Sequence, residues 1–320
     1  MPTFQATRRI VSIFCVATAI FAITARADIL FVADEGDTSA SGTIGEYTSS
    51  GVEVNGSLVS GLPLPVGIAA SGSNLFVTNY VNVVSGVGAY VGEYTTSGAT
   101  VKASLVSSIT GPDGIAASGS NLYITFQGGT IGDYDAITGA PVNSSLVTGL
   151  SFPVGIAISG SNLFVANYTN GTIGEYTTSG ATVNAALVTG LSSPFALALS
   201  GSDLFVSNYF LGTIGEYSTS GTTVNASLVS GLRNPNAIAV SGSDLFVANL
   251  YNNTIGEYNA TTGTAINRSL ISGLINPTGI VAVEDLPEPS SLVGALATLA
   301  ALLALGRRAE AASSDCKSAG

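Results

Sequence analysis

The sequence predicts an all-β chain folded as a six-bladed β-propeller with four strands per blade, and three observations carry that prediction. The tripeptide Leu-Phe-Val recurs at Leu30, Leu75, Leu163, Leu204 and Leu245, with Leu122-Tyr123-Ile124 as a sixth copy, at spacings of 45, 47, 41, 41 and 41 residues. The 320-residue chain is rich in glycine (39 residues) and only 9% charged, a composition suited to short strands joined by tight turns. Finally, the repeat is out of frame with the body. It begins on a second strand, Ile29-Leu-Phe-Val, and ends on an unpartnered first strand, Gly279-Ile-Val-Ala-Val283.

Each unit reads as four short strands bounded by turn residues. Strand one is Gly-Ile-Ala-x-Ser, as at Gly155 to Ser159, and strand two is Leu-Phe-Val-x-Asn. Strand three is Thr-Ile-Gly-Glu-Tyr, and strand four is Val-Asn-x-Ser-Leu-Val. Ser-Gly-Ser-Asn or Ser-Gly-Ser-Asp makes the first turn, where glycine supplies a positive φ. A unit of this size with four strands is one propeller blade. A parallel β-helix competes, but its coils are shorter and carry three strands. The orphan strand at Gly279–Val283 is expected to pair with the N-terminal strands, closing the ring and removing exposed sheet edges.

The two ends are expected to stand outside this body. Arg8 and Arg9 precede an apolar run from Ile10 to Thr24, and Ala25-Arg26-Ala27 follows. This is the layout of a secretory signal over residues 1–27, cut before Asp28. An uncleaved anchor is the competing reading, against which the shortness of the run counts. The propeller is expected over 28–286. A second apolar run, Leu292 to Leu305, is followed by Arg307 and Arg308, arginines of the kind that stay on the cytoplasmic side of a membrane. Such a helix would hold the exported body briefly at the membrane. Residues 309–320 form a tail.

Composition excludes several function classes. The chain has no histidine, so the commonest general base and metal ligand are both missing. Its two cysteines, Cys15 and Cys316, lie in the terminal segments, leaving the body without disulfides or thiol chemistry. The body carries seventeen acidic residues against three basic ones (Lys102, Arg233 and Arg268), a net charge of −14 that repels nucleic acid.

Pro-x-Gly-Ile-Ala followed by Leu-Phe-Val-Ala-Asn resembles the NHL-repeat propellers, over nearly all of residues 28–286. The NHL pattern carries an Asp after strand two and an Arg in strand three. Here Asn replaces the Asp in most blades, Asp34 excepted, and Gly-Glu-Tyr replaces the Arg. The RNA binding of some NHL proteins is therefore not implied. The repeat also resembles virginiamycin B lyase propellers, which rely on histidine, so that likeness is one of scaffold. Pro287-Glu288-Pro289, the apolar run and Arg307-Arg308 together resemble a PEP-CTERM sorting signal. The resemblance implies recognition by an exosortase-type enzyme, and a place at a bacterial cell surface or in an exopolysaccharide matrix. The extra residues Ala309 to Gly320 depart from that pattern, and a plain C-terminal anchor is the alternative.

The strand-three acid recurs as Glu46, Glu93, Asp133, Glu175, Glu216 and Glu257, each followed by a tyrosine. A position repeated in every blade is expected to serve the blade: the acid hydrogen-bonded to neighbouring backbone or hydroxyl groups, the tyrosine packed between blades with its hydroxyl at the rim. Function is expected where loops gather on one face. Asn79-Tyr80, Asn167-Tyr168, Asn208-Tyr209 and Asn249-Leu250-Tyr251 lie there, and rings with amides suit contact with carbohydrate or peptide. The competing reading has each Asn ending its strand and bonding its own turn. Asp34, Glu35, Asp37 and Asp113 break the symmetry as candidate calcium ligands, although their spacing matches no standard calcium loop. The insertion from Val81 to Ala89 is a further asymmetric loop. These features favour a non-enzymatic surface or matrix protein that binds a glycan or another protein and needs no cofactor. The alternatives are a carboxylate- or metal-dependent lyase or hydrolase, and a purely structural protein.

Overall fold

A computed structural model describes residues 28–38, 41–80 and 88–284. The expected signal at 1–27, the sorting segment at 287–308 with Pro287, Glu288, Pro289, Arg307 and Arg308, the tail at 309–320, and most of the 81–89 insertion lie outside the described residues. Among the described residues no helix is long and apolar enough to cross a membrane.

The described chain forms 24 strands in six four-stranded antiparallel sheets. Blade 1 takes β1 (Ile29–Asp34), β2 (Gly42–Thr48) and β3 (Glu53–Leu62) from the start of the body. Blade 2 is β4 (Pro65–Ser71), β5 (Asn74–Asn79), β6 (Ala89–Thr95) and β7 (Thr100–Ile109). Blade 3 is β8 (Pro112–Ser118), β9 (Asn121–Phe126), β10 (Thr130–Asp135) and β11 (Pro141–Thr148). Blade 4 is β12 (Pro153–Ser159), β13 (Asn162–Asn167), β14 (Thr172–Thr177) and β15 (Thr182–Val188). Blade 5 is β16 (Pro194–Ser200), β17 (Asp203–Asn208), β18 (Thr213–Ser218) and β19 (Thr223–Val229). Blade 6 is β20 (Pro235–Ser241), β21 (Asp244–Asn249), β22 (Thr254–Asn259) and β23 (Ala265–Ser272). The last strand, β24 (Pro277–Val283), returns to blade 1 and pairs antiparallel with β1, Val32 opposite Ile280. The first strands β24, β4, β8, β12, β16 and β20 contact one another in turn around the axis, so the ring is closed.

The Leu-Phe-Val run is continuous rather than alternating because both faces of each sheet are covered. Leu30, Leu75, Leu122, Leu163, Leu204 and Leu245 are fully buried, and the Phe or Tyr residues that follow them are at most 5% exposed. Leu and Val of one blade meet the Phe of the preceding blade. Phe164 and Ile173 of blade 4, for example, pack with Leu204, Val206 and Tyr217 of blade 5. Six clusters of this kind fill the six gaps between blades.

Gly-Glu-Tyr has a steric reason. The tyrosine ring folds back over the glycine two residues earlier, and a Cβ on Gly174 would lie 2.7 Å from Cε2 of Tyr176. All six tyrosines are buried between blades. The preceding acid accepts a hydrogen bond from the amide that opens strand two: Asn74 donates to Glu93 at 2.9 Å, Asn121 to Asp133 at 2.8 Å and Asn162 to Glu175 at 2.8 Å. The partner of these acids is thus a side-chain amide, not the backbone or hydroxyl groups expected from sequence.

Outer strands carry a bulge. Ile173 pairs with Val188 and Glu175 with Asn184, which leaves two extra residues on β15. The asparagine at the bulge caps it, its Oδ1 accepting the N–H two residues on: Asn55 from Ser57, Asn143 from Ser145, Asn184 from Ala186, Asn225 from Ser227 and Asn267 from Ser269. In blade 2 Lys102 stands at this position, opposite Glu93.

Candidate functional site: the aromatic loop face

Strand two ends beside the start of strand one, Asn208 opposite Pro194 and Asn249 opposite Pro235, so the two sets of loops share one face. The asparagines predicted for contact on this face are buried: Asn79, Asn167, Asn208 and Asn249 are 0 to 3% exposed. Their role is read most directly in blade 5. There Oδ1 of Asn208 accepts the N–H of Ser192, two residues before the proline, at 3.2 Å. In blade 1 Asp34 plays the same part, accepting the N–H of Ile275 at 2.7 Å. Blade 2 has Pro63 at the corresponding place, which has no N–H to give, and Oδ1 of Asn79 is left without a partner. The Oδ1 atoms of Asn167 and Asn249 are likewise unpartnered. Only in blades 1 and 5 does this side chain tie the two loops together; elsewhere the buried amide donates locally, Asn79 to the carbonyl of Val77, Asn249 to that of Val247 and Asn167 to the Thr172 hydroxyl.

The tyrosines that follow them turn outward, and in blades 4 to 6 they do not stand alone. Tyr168 meets Phe152 with ring centroids 5.8 Å apart, Phe195 at 6.1 Å and Phe210 at 6.1 Å. Tyr209 meets Phe195 at 5.3 Å and Phe210 at 5.2 Å. Burial, followed by the neighbouring phenols of Tyr251 and Tyr168, raises the pKa of Tyr209 above the usual phenol value. Phe210 is 68% exposed, Leu211 61% and Tyr251 71%. Tyr80, in blade 2, stands apart from this crescent among the ring contacts of the described residues, at 39% exposure.

The turn that leads into strand one has a recurrent backbone shape. Phe152, Ser193, Asn234 and Asn276, each directly before the proline of strand one, sit in the left-handed region at φ 54°, 53°, 53° and 59°. Non-glycine residues rarely adopt this conformation, and for Phe152 it costs on the order of 1–2 kcal/mol. Phe152, Phe195, Phe210 and Leu211 escaped the sequence reading because they lie outside the repeated Asn-Tyr phrase. The signal was a departure from the repeat: Phe195 stands where blades 2 and 4 carry Val66 and Val154, and Phe210-Leu211 where blade 4 carries Thr169-Asn170.

Phe195 also reaches the propeller axis. A cavity of about 90 Å3 there is lined by residues of all six first strands, among them Val66, Asp113, Phe195, Asn236 and Thr278. The strands close tightly around it, since a Cβ on Gly155 would lie 2.3 Å from the carbonyl oxygen of Phe195. Hydroxyls stitch one blade to the next: Thr78 donates to the carbonyl of Asp113 at 2.8 Å, and Thr278 to that of Pro65 at 2.6 Å.

The four candidate calcium ligands are spread over two blades. Asp34 accepts backbone N–H groups, and Asp37 accepts the Ser41 hydroxyl at 3.0 Å. Burial raises the pKa of Asp34, and that of Glu35 is raised by burial and then by the charge of Asp34. Asp113 lies in blade 3 at the axis, 6% exposed, and accepts a hydrogen bond from Gln127 at 3.2 Å. Burial pushes its pKa up to about 6. Among the described residues no three acidic side chains gather as a metal site.

The chain is a six-bladed propeller with an aromatic crescent on the loop face of three consecutive blades. No protein-family model matches it, and no curated protein matches it. Among solved structures it is similar to one described as the crystal structure of a nidogen/laminin complex. That likeness has a TM-score of 0.66 and 15% identity, over 80% of this chain and 98% of the other, and it shows the fold. A computationally designed protein, Ika8, is similar at a TM-score of 0.45 and 14% identity, over 76% of this chain and 72% of that one.

Proposed function

We propose that this protein is a non-enzymatic interaction protein, exported and held at the cell surface or in the surrounding matrix, which grips its partner through the loop face of blades 4 to 6. The observation that carries the reading is the crescent itself. Contiguous exposed rings are costly to leave in water and mark interaction surfaces. The absence of histidine from the chain and of cysteine from its body supports a binding role over nucleophilic or acid–base catalysis. The signal-like start and the resemblance of residues 287–308 to a PEP-CTERM segment support export, and with it a processing enzyme of the exosortase type as a transient partner.

The test is to incubate the protein with cell-envelope and matrix polymers and measure both retention and chemistry. Polymer should be retained without new reducing or unsaturated ends, and retention should fall in Phe210→Ser. Retention that Phe210→Ser leaves unchanged would remove the loop face from the reading.

A second reading, a carboxylate-dependent lyase or hydrolase, rests on Asp113, an acid near neutrality at the axis. New chain ends that appear with the protein and vanish in Asp113→Asn would establish it. Thermal melts with calcium, magnesium or EDTA check the metal-dependent form, and unchanged melting temperatures at millimolar concentration would rule it out.

A further inference from the structure

We propose that the crescent binds an uncharged polysaccharide, its rings stacking on the apolar faces of sugar residues and its phenols and amides bonding their hydroxyls. The inference rests on the reading of this face as the contact surface, and it names the class of partner.

Three features of the face select that class. First, the rings are exposed and yet pre-positioned. Phe210 lies against both Tyr168 and Tyr209, and Tyr209 in turn lies against Phe195. A pre-positioned ring loses little freedom when a ligand stacks on it. Second, the polar groups among the rings are neutral. The loops around them, at 149–154, 168–171, 190–195, 209–212, 231–236 and 250–253, contain Asn, Ser, Thr and Tyr and no acidic residue, with Arg233 as the one charge. Amides and hydroxyls pair with sugar hydroxyls as donors and acceptors alike. Third, the body around the crescent carries a net charge of −14, and its acidic loop at Asp34, Glu35 and Asp37 lies in blade 1. An anionic polymer would be repelled on approach, and a cationic one would be drawn to the acidic blade instead. A proline-rich peptide also docks on aromatic surfaces. It would leave most of the neutral donors and acceptors unpaired, so the polyol is favoured.

The experiment is affinity electrophoresis of the full-length protein through gels containing hydroxyethyl cellulose, galactomannan or dextran, with alginate as the anionic polymer. Fluorescence anisotropy with a labelled proline-rich peptide runs in parallel. At least one neutral polymer should retard the protein. Phe210→Ser and Tyr251→Ser should each weaken that retardation about tenfold, and Tyr80→Ser should not. Matching melting temperatures establish that the variants are folded. Retardation by no neutral polymer, by alginate alone, or equally in wild type and Phe210→Ser overturns the inference. Peptide binding without polymer binding, lost in Phe210→Ser, overturns the polysaccharide and leaves the face as the contact surface. Polymer binding that neither Phe210→Ser nor Tyr251→Ser alters overturns both.

Discussion

Asn162 and Asp203 occupy the same position in neighbouring blades, and each faces the acid of strand three. In blade 4 the amide of Asn162 donates to Glu175. In blade 5 the facing group is a second carboxylate, and burial together with the charge of Asp203 raises the pKa of Glu216. Blade 6 repeats the arrangement with Asp244 and Glu257. Changing Asp203→Asn should restore the hydrogen bond seen in blade 4. The expected gain is about 1 kcal/mol at pH 7 in denaturant unfolding, with the Glu216 pKa moving down. No gain would mean that the two carboxylates are kept apart by solvent. The repeat made this acid legible as structural, because one position served every blade. Its partner was not legible, since the opening residue of strand two reads as part of a turn and only register places it diagonally opposite. The loop asparagines admitted two readings, contact on the loop face or an Asn that ends its strand and bonds its turn, and Asn208 follows the second: it turns inward, accepting the N–H of Ser192 and donating to the Thr213 hydroxyl.

Among the elements, strands three and four show how little freedom each blade has. Tyr176 is 4% exposed and lies over Gly174, so an added methyl must displace a ring that fills the gap between blades 3 and 4. Gly174→Ala should therefore cost about 1–3 kcal/mol by overpacking. The double change Gly174→Ala with Tyr176→Leu should cost less than the two single changes together, since leucine vacates the ring position. Strict additivity of the two would sink the steric account. The outer strands make a second case. Asn184 and Asn225 each cap a bulge with one hydrogen bond. Each change to Ala should lower stability by about 0.5–1.5 kcal/mol, and the pair should add, because they sit in separate blades that share no partner there. A bulge also twists an outer edge away from strand-to-strand association. Higher aggregation in the double variant, read by light scattering, is the accompanying outcome. The number, order and kind of strands were legible because apolar runs and turn residues repeat in phase. The bulges were not, because Val-Asn-x-Ser-Leu-Val looks like an unbroken strand until it is paired.

For the whole molecule, the decisive quantity is the balance of buried acids. Asp34, Glu35, Asp113, Asp133, Glu216 and Glu257 all have pKa values raised chiefly by burial, while Asp135, held by the side chain and backbone of Thr138, is lowered. An acid whose pKa is higher in the folded chain binds protons there more readily than when unfolded, so these six groups favour the folded state as pH falls. Their contribution is complete below the unfolded values near 4. It declines as pH rises through the folded values, with that of Asp113 at about 6. With no histidine in the chain, no imidazole gains charge on acidification to oppose this trend. The net charge of the body works in the same direction, because acid relieves the repulsion among the sixteen carboxylates of the described residues. Melting temperature should therefore rise from pH 7.5 to pH 5, against the usual pattern in which acid removes native carboxylate pairs. Asp113→Asn should flatten the slope between pH 5 and 7, and added salt should raise the melting temperature more at pH 7.5 than at pH 5. A melting temperature that falls steadily from pH 7.5 to 5 would show that the acids are paired in ways the six shifts do not describe.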